Sequence, residues 1–207
     1  AGREGRPFLF PMPDFSAAFE DALQRVLNVE GGFSDHPADS GGETRYGVTR
    51  RVAREHGYDG PMRDLPADLA KKIYREDYWK PLRCETIMSR HGRLAWELFE
   101  IGVNMGTERA ARFLQRCLNV LNRQEQDYAD IAEDGVVGPK TLDALDAYIR
   151  TRKGEGGKDV ILSMMNALQG ADYVRLAERR QKDEAFIFGW FKQRVTVFFD
   201  RQSRIAA

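Results

Sequence analysis

The stretch VEGGFSDHPADSGGETRYGVT, Val29 to Thr49, decides how this chain is read. Before it, Phe15, Phe19, Ala22, Leu23, Val26 and Leu27 recur at intervals of three and four, the spacing of a helix with one apolar face. Asp14 or Ser16 can cap its start. Glu30 comes four residues after Val26 and three after Leu27, so it projects from that apolar face. Burial disfavours a carboxylate, and so does the negative end of the helix dipole; both push the Glu30 carboxyl towards its protonated form. A carboxyl held protonated near neutral pH is what general-acid catalysis requires. One glycine suffices to end a helix, whereas Gly31-Gly32 also leaves open space beside the acid where a polymer can lie. The plain alternative is a surface glutamate at a frayed helix end.

The segment that follows supplies partners. Asp39 can return beside Glu30 if the chain loops back through Pro37, and Gly41-Gly42 suits a tight hairpin turn with Thr44 and Tyr46 on its far arm. An acid, a second carboxylate and a hydroxyl across a small hairpin support glycoside hydrolysis with inversion. Glu30 protonates the leaving oxygen, while Asp39, helped by Thr44, orients water on the opposite face. Against this stands an Asx-turn, in which Asp39 only bonds the backbone before Ser40-Gly41.

Helical periodicity continues downstream. Thr49 can cap a short helix that stops at Gly57, and a helix opening near Pro66 carries Leu69 and Ile73 towards Tyr78-Trp79. RLAWELFEIGVNMG, Arg93 to Gly106, is apolar on most sides, the mark of a helix buried at the centre of a domain. Thr107 can cap the next, whose stripe is Ala110, Phe113, Leu114, Cys117, Leu118 and Leu121. Pro139 opens another with Leu142, Leu145 and Ile149 inside. GEGG, Gly154 to Gly157, reads as a loop, and two or three helices fill Val160 to Gln202. Strand signals are confined to Asp39–Thr49. The expected fold is all-α, or α+β by virtue of one small hairpin placed directly after the Glu30 helix. The expected organisation is a tail over 1–14, a first helical region over 15–104 and a second, packed on it, over 105–207.

Hydrophobic content of 42% against 31% charged residues describes a folded globular chain. Lys plus Arg equals Asp plus Glu at 32 each, so no global field draws it to nucleic acid or an anionic membrane. Arg50-Arg51 and Arg179-Arg180 alternate with acids and read as solvated helix faces. No apolar stretch approaches the ~18 residues of a bilayer span. The opening AGREGRPFLFPMP is broken by prolines and is no signal peptide as it stands; its first residue, Ala1, is compatible with processing or truncation. Cys84 and Cys117 are too distant for a redox pair, and Cys117 lies on an apolar stripe as a buried thiol would. His36, His56 and His91 share no metal-ligand spacing, so neither metal nor cofactor is expected. Tyr173, Phe186, Phe188, Trp190 and Phe191 are spaced for core packing more than for stacking on sugars. Asn104, between Gly102 and Gly106 at a buried helix end, needs hydrogen-bond partners; a glycan N-acetyl group is one and a loop carbonyl another.

EGGFSDHPADSGGETRYGVT resembles the catalytic segment of the glycoside hydrolase family 108 lysozymes, with its Glu-Gly-Gly-aromatic opening and Gly-Gly-x-Thr-x-Tyr-Gly hairpin. The likeness continues in order through LPADLAKKIYREDYW, IGVNMG with RFLQ, DGVVGPKTL and FGWFKQRV, from Phe15 to about Val197. Phe33 stands where Tyr is expected and Glu100 where Asp is common. The resemblance implies a lysozyme-like helical fold and cleavage of the β-1,4 bond between N-acetylmuramic acid and N-acetylglucosamine in peptidoglycan, with Glu30 as general acid. Asp39 and Thr44 complete the catalytic set by a looser likeness to the Glu, Asp, Thr order of phage-type muramidases. Gly31, Gly32, Phe33, Tyr46 and Asn104 are the candidate substrate-binding residues.

EDGVVGPKTLDAL, Glu133 to Leu145, resembles the signature of helical peptidoglycan-binding modules; a loop that merely joins two core helices is the alternative. A lytic transglycosylase using the same glutamate and a silent wall-binding protein remain alternatives for the whole. The expected partner is the peptidoglycan glycan strand, met by a monomer in the periplasm or cell wall. The chain is expected to be made in the cytoplasm and to arrive by lysis, a holin-type pore or an export route, as an endolysin or secreted enzyme does. Balanced net charge predicts only a modest response of activity to salt.

Overall fold

The structure, a computed structural model, describes residues 15–30, 43–154 and 156–195. Helix α1, Phe15–Glu30, buries Phe19, Ala22, Leu23 and Val26 in the core, as its spacing predicts. Phe19 meets the rings of Trp79 and Phe99 edge-on at 5.3 and 6.1 Å, and the Arg75 guanidinium lies 4.8 Å from the centre of its ring.

The hairpin is shorter and later than the Gly41-Gly42 reading places it. Strands β1, Thr44–Arg45, and β2, Val48–Thr49, pair antiparallel with Thr44 opposite Thr49. Their turn is Tyr46-Gly47, with φ of 53° and 72°. A two-residue hairpin needs positive φ at both central positions to match strand twist, and Gly47 accepts this freely. Tyr46 is held there by Tyr74, whose hydroxyl donates to the Tyr46 carbonyl at 2.9 Å. Gly41 and Gly42 lie outside the described residues. In the described hairpin Thr44 is on the first strand and Tyr46 at the turn.

Thr49 then caps α2, Arg50–Glu55, by accepting from Val52 N at 3.4 Å. Helix α3, Ala67–Tyr74, runs on into a π-helical turn at Arg75–Trp79. The periodicity gives no sign of α4, Cys84–Met88, which is only one turn long and is entered through Arg83 at φ 52°. Helix α5, Gly92–Met105, is the buried axis: Leu94, Ala95, Leu98, Phe99 and Ile101 are all inside. A Cβ at Gly102 would lie 2.5 Å from Leu82 Cδ1, so that glycine sets the approach of the 80s loop to α5.

Helix α6 is Thr107–Leu121, α7 Pro139–Thr151, α8 Gly157–Arg179 and α9 Glu184–Trp190, the last followed by a π-helical turn at Phe191–Val195. Thr107 is the first residue of α6 rather than its cap, and Gly157 the first of α8. Residues 122–138 form no regular element, and amides of α6 hold them. Asn119 exchanges two 2.9 Å bonds with the backbone of Ile131, and buried Asn122 reaches Asp130 at 2.6 Å. Gln115, 1% exposed, accepts from Gly135 N at 2.9 Å and donates towards Asp134, Val136 O and Thr141 at 2.7–3.3 Å. Gln115 thus gathers polar groups of Asp134, Gly135, Val136 and Thr141, while the Asp134 and Lys140 residues remain exposed.

Three neighbours at the start of α5 bind the two halves together. Arg90 grips Asp146 of α7 with two bonds of 2.6 and 2.8 Å, Arg93 meets Asp159 of α8 at 3.0 Å, and His91 Nε2 donates to Lys158 O at 2.9 Å. Cys84 and Cys117 are buried free thiols, and burial pushes that of Cys117 up to about 12. The core reading of the late aromatics fails in part: Tyr173 is 3% exposed, but Phe186 and Phe188 on α9 are 57% and 76% exposed. Among the described residues, no helix is long and apolar enough to cross a membrane.

Candidate functional site

A cleft of about 480 Å³ opens between the hairpin and the C-terminal helices, within the usual ~300–1,000 Å³ range of ligand sites. One wall is Gly47 to Thr49 with Arg51 and Val52 of α2; the floor includes Tyr74, Tyr78 and the end of α5 from Val103 to Met105. The opposite wall is Arg109 of α6, Tyr173 and Leu176 of α8, Trp190 and Arg194. A turn without a Cβ at Gly47 keeps the rim low, and α5 delivers Asn104 because its last turn emerges from the core there.

The predicted residues fall as follows. Asn104 is half-buried and borders the cleft. Its Nδ2 donates to Glu100 O at 2.8 Å, one turn back, leaving the second donor hydrogen and the carbonyl oxygen for a ligand. Thr44 pairs with Thr49, so the two share a face of the hairpin, and Thr49 borders the cleft. Tyr46 packs on the core, with the Arg45 guanidinium 5.0 Å over its ring, and contributes its neighbour Gly47 rather than its own ring to the rim. Glu30 is the final residue of α1, and its side chain lies outside the described part of the structure. Asp39, Gly31, Gly32 and Phe33 also lie outside the described residues.

Sequence reasoning missed most of the lining. Arg51 was assigned to a solvated face; its side chain is 76% exposed and also borders the cleft. Arg109, Arg194, Tyr74 and Tyr78 carry no local pattern that marks a site, since folding alone brings them together. Trp190 lies 5.2 Å from Tyr173 and stacks on Phe186 at 6.2 Å, so a file of rings leads from the cleft to the surface. Burial raises the Tyr173 phenol, while contacts with Arg194 oppose the shift; the hydroxyl stays a neutral donor and acceptor. Among the described residues no cluster of His, Cys, Asp or Glu can hold a metal ion. Aromatic faces, an amide and guanidinium groups suit a polar, ring-containing chain.

A second depression of about 750 Å³ lies between Glu76–Thr86 and Val136–Pro139. It is more open and is walled in part by the stretch that resembles a peptidoglycan-binding signature, but Asn104 and the hairpin border the first cleft, which is the better candidate for catalysis despite its smaller volume.

Residues 23–106 match the sequence family described as glycosyl hydrolase 108, and residues 109–195 match a predicted peptidoglycan domain. Among solved structures, SagA of Brucella abortus superposes with a TM-score of 0.63 at 24% identity, covering 90% of this chain and 94% of that one. At that identity the likeness speaks to the fold, a helical lysozyme-like architecture with one small hairpin. No curated protein matches. The cleft is walled by both matched segments.

Proposed function

We propose that this chain, whose residues 23–106 match glycosyl hydrolase 108 and whose residues 109–195 match a predicted peptidoglycan domain, hydrolyses the β-1,4 bond between N-acetylmuramic acid and N-acetylglucosamine. It is a peptidoglycan-degrading glycosidase; the bond and the residues that cleave it are the proposal. Glu30 gives its proton to the leaving oxygen as the bond from C1 breaks. Water, oriented by Asp39 and Thr44 on the opposite face, bonds to C1 and yields a proton to Asp39, which inverts the anomeric centre. Gly31, Gly32 and Phe33 border the acid, the Tyr46-Gly47 turn forms the rim, and Asn104 bonds an N-acetyl group.

The observation that carries this reading is the cleft itself, bordered by the hairpin and Asn104 on one side and by the peptidoglycan domain on the other. The end of α1 at Glu30 supports the acid role, because the helix dipole disfavours a carboxylate at its negative end. We place the enzyme at the cell wall as a monomer, reached by lysis, a pore or export.

The test is mass spectrometry of muropeptides released from purified sacculi. Hydrolysis adds the mass of water, whereas attack by the sugar's own 6-hydroxyl gives a 1,6-anhydro product and would replace hydrolysis by transglycosylation. Glu30→Gln is expected to lower release by about 10²–10⁴ with an unchanged or raised Tm. Full activity in that variant sinks the assignment.

A further inference from the structure

The charged residues among the described lining of the cleft are all cations, in a chain that is balanced overall. Lys plus Arg and Asp plus Glu number 32 each overall, yet the described lining includes Arg51, Arg109 and Arg194 and no acidic residue. The glycan backbone itself is uncharged. The negative charge of peptidoglycan sits on the arm attached to muramic acid, as stem-peptide carboxylates or, where the peptide has been removed, as the lactyl carboxylate. We propose that Arg51, Arg109 and Arg194 form a carboxylate-recognition site that makes the enzyme selective for glycan bearing charged muramic acid arms. This rests on the glycosidase reading above and adds what the site selects.

The three guanidinium groups come from three separate elements: α2, α6 and the turn after α9. Arg109 Nε lies 3.5 Å from Asp172, but Arg175 holds that same carboxylate at 2.9 Å, so two cations share one anion and a positive charge remains. Arg51 meets Glu55 one turn along α2 at 2.6 Å, with both side chains more than half exposed. Such a pair is weak in water, and a ligand carboxylate competes with it easily. Arg194 is held against the Tyr173 hydroxyl at the base of the wall, which orients its guanidinium. Guanidinium forks match carboxylate geometry, so charge and shape select the same group.

The experiment measures kcat/KM on three substrates: intact peptide-bearing glycan strands, the same strands with carboxylates converted to amides, and strands stripped of peptide. Amidation is expected to cost the wild type about tenfold, chiefly in KM. Arg51→Gln/Arg109→Gln is expected to lose about as much on intact strands, and the two losses should not add when combined. Activity kept on stripped strands shows that the lactyl carboxylate serves in place of the stem; activity falling to the amidated level confines recognition to the stem. Additive losses, or no loss on amidation, overturn the proposal. Arg51→Gln alone, far from the Asp172 cluster, repeats the test if the double variant folds poorly. Pelleting of wild type with intact and amidated sacculi separates the two claims. No cleavage of any substrate ends the glycosidase reading, while equal pelleting ends carboxylate recognition.

Discussion

Two glycine-bearing stretches, GGETRYGVT at 41–49 and DGVVGPKTL at 134–142, look alike as strings and fold to opposite purposes. The first leaves Gly47, Val48 and Thr49 along an open cleft. The second closes on Gln115, which bonds Asp134, Gly135, Val136 and Thr141 from inside. Glycine permits a turn in both; the destination of the polar groups separates a binding rim from a structural splice. In the second stretch these bonds run to the protein itself, while Val136 to Pro139 also border the larger depression.

The sharpest way to break the contrast is Gln115→Leu. It leaves buried Thr141 and the half-buried Gly135 N–H without their partner and is expected to cost about 2 kcal/mol in urea unfolding, with activity per folded molecule retained. Lost wall binding at full stability would instead make the loop a site. Gly47→Ala tests the other member: a side chain at φ 72° should cost about 1 kcal/mol, yet kcat/KM should fall more than stability does. Equal loss in both would reduce the rim to scaffolding.

A smaller effect concerns the joint between the halves. Burial holds the His91 imidazole below its usual range; Lys158 and Arg93 reinforce this, while its bond to Lys158 O and Asp159 oppose it. The unfolded chain binds this proton as pH falls below about 6.5, before the folded one does. Stability from His91 is thus full above that pH and declines beneath it. Melting His91→Gln at pH 7.5 and 5.5 should show a flatter response than wild type. Asp134 acts in a separate window: Gln115 and the Val136 N–H hold its carboxyl low, so its contribution is present above about 3.8 and lost only in stronger acid. Least of all, Phe188→Ser, at 76% exposure, should change stability by under about 0.5 kcal/mol; a large loss would mean the surface of α9 is covered in solution.

Helices were legible because their signal is local. The stripe of α6 and the apolar circumference of α5 follow from spacing alone, and Thr49 and Pro139 mark their helix starts by chemistry that acts within one turn. Short or distorted elements were not: α4 has too few residues for a period, and a π-helical turn such as Arg75–Trp79 has no compositional mark. The Tyr46-Gly47 turn carries one glycine only, and tertiary support from Tyr74 lets Tyr46 take a left-handed conformation that its residue type does not announce. The cleft's cations stayed hidden for a different reason. Arg51, Arg109 and Arg194 are separated by most of the chain, and only the packing of α6 and α8 against α5 gathers them.

A groove assembled from residue 47 at one rim and residue 194 at the other has a history as well as a shape. While the ribosome is still making the chain, the hairpin emerges long before its opposite wall exists. An emerging polypeptide therefore holds only half a grip on its polymer, and the finished tool appears late in its own synthesis.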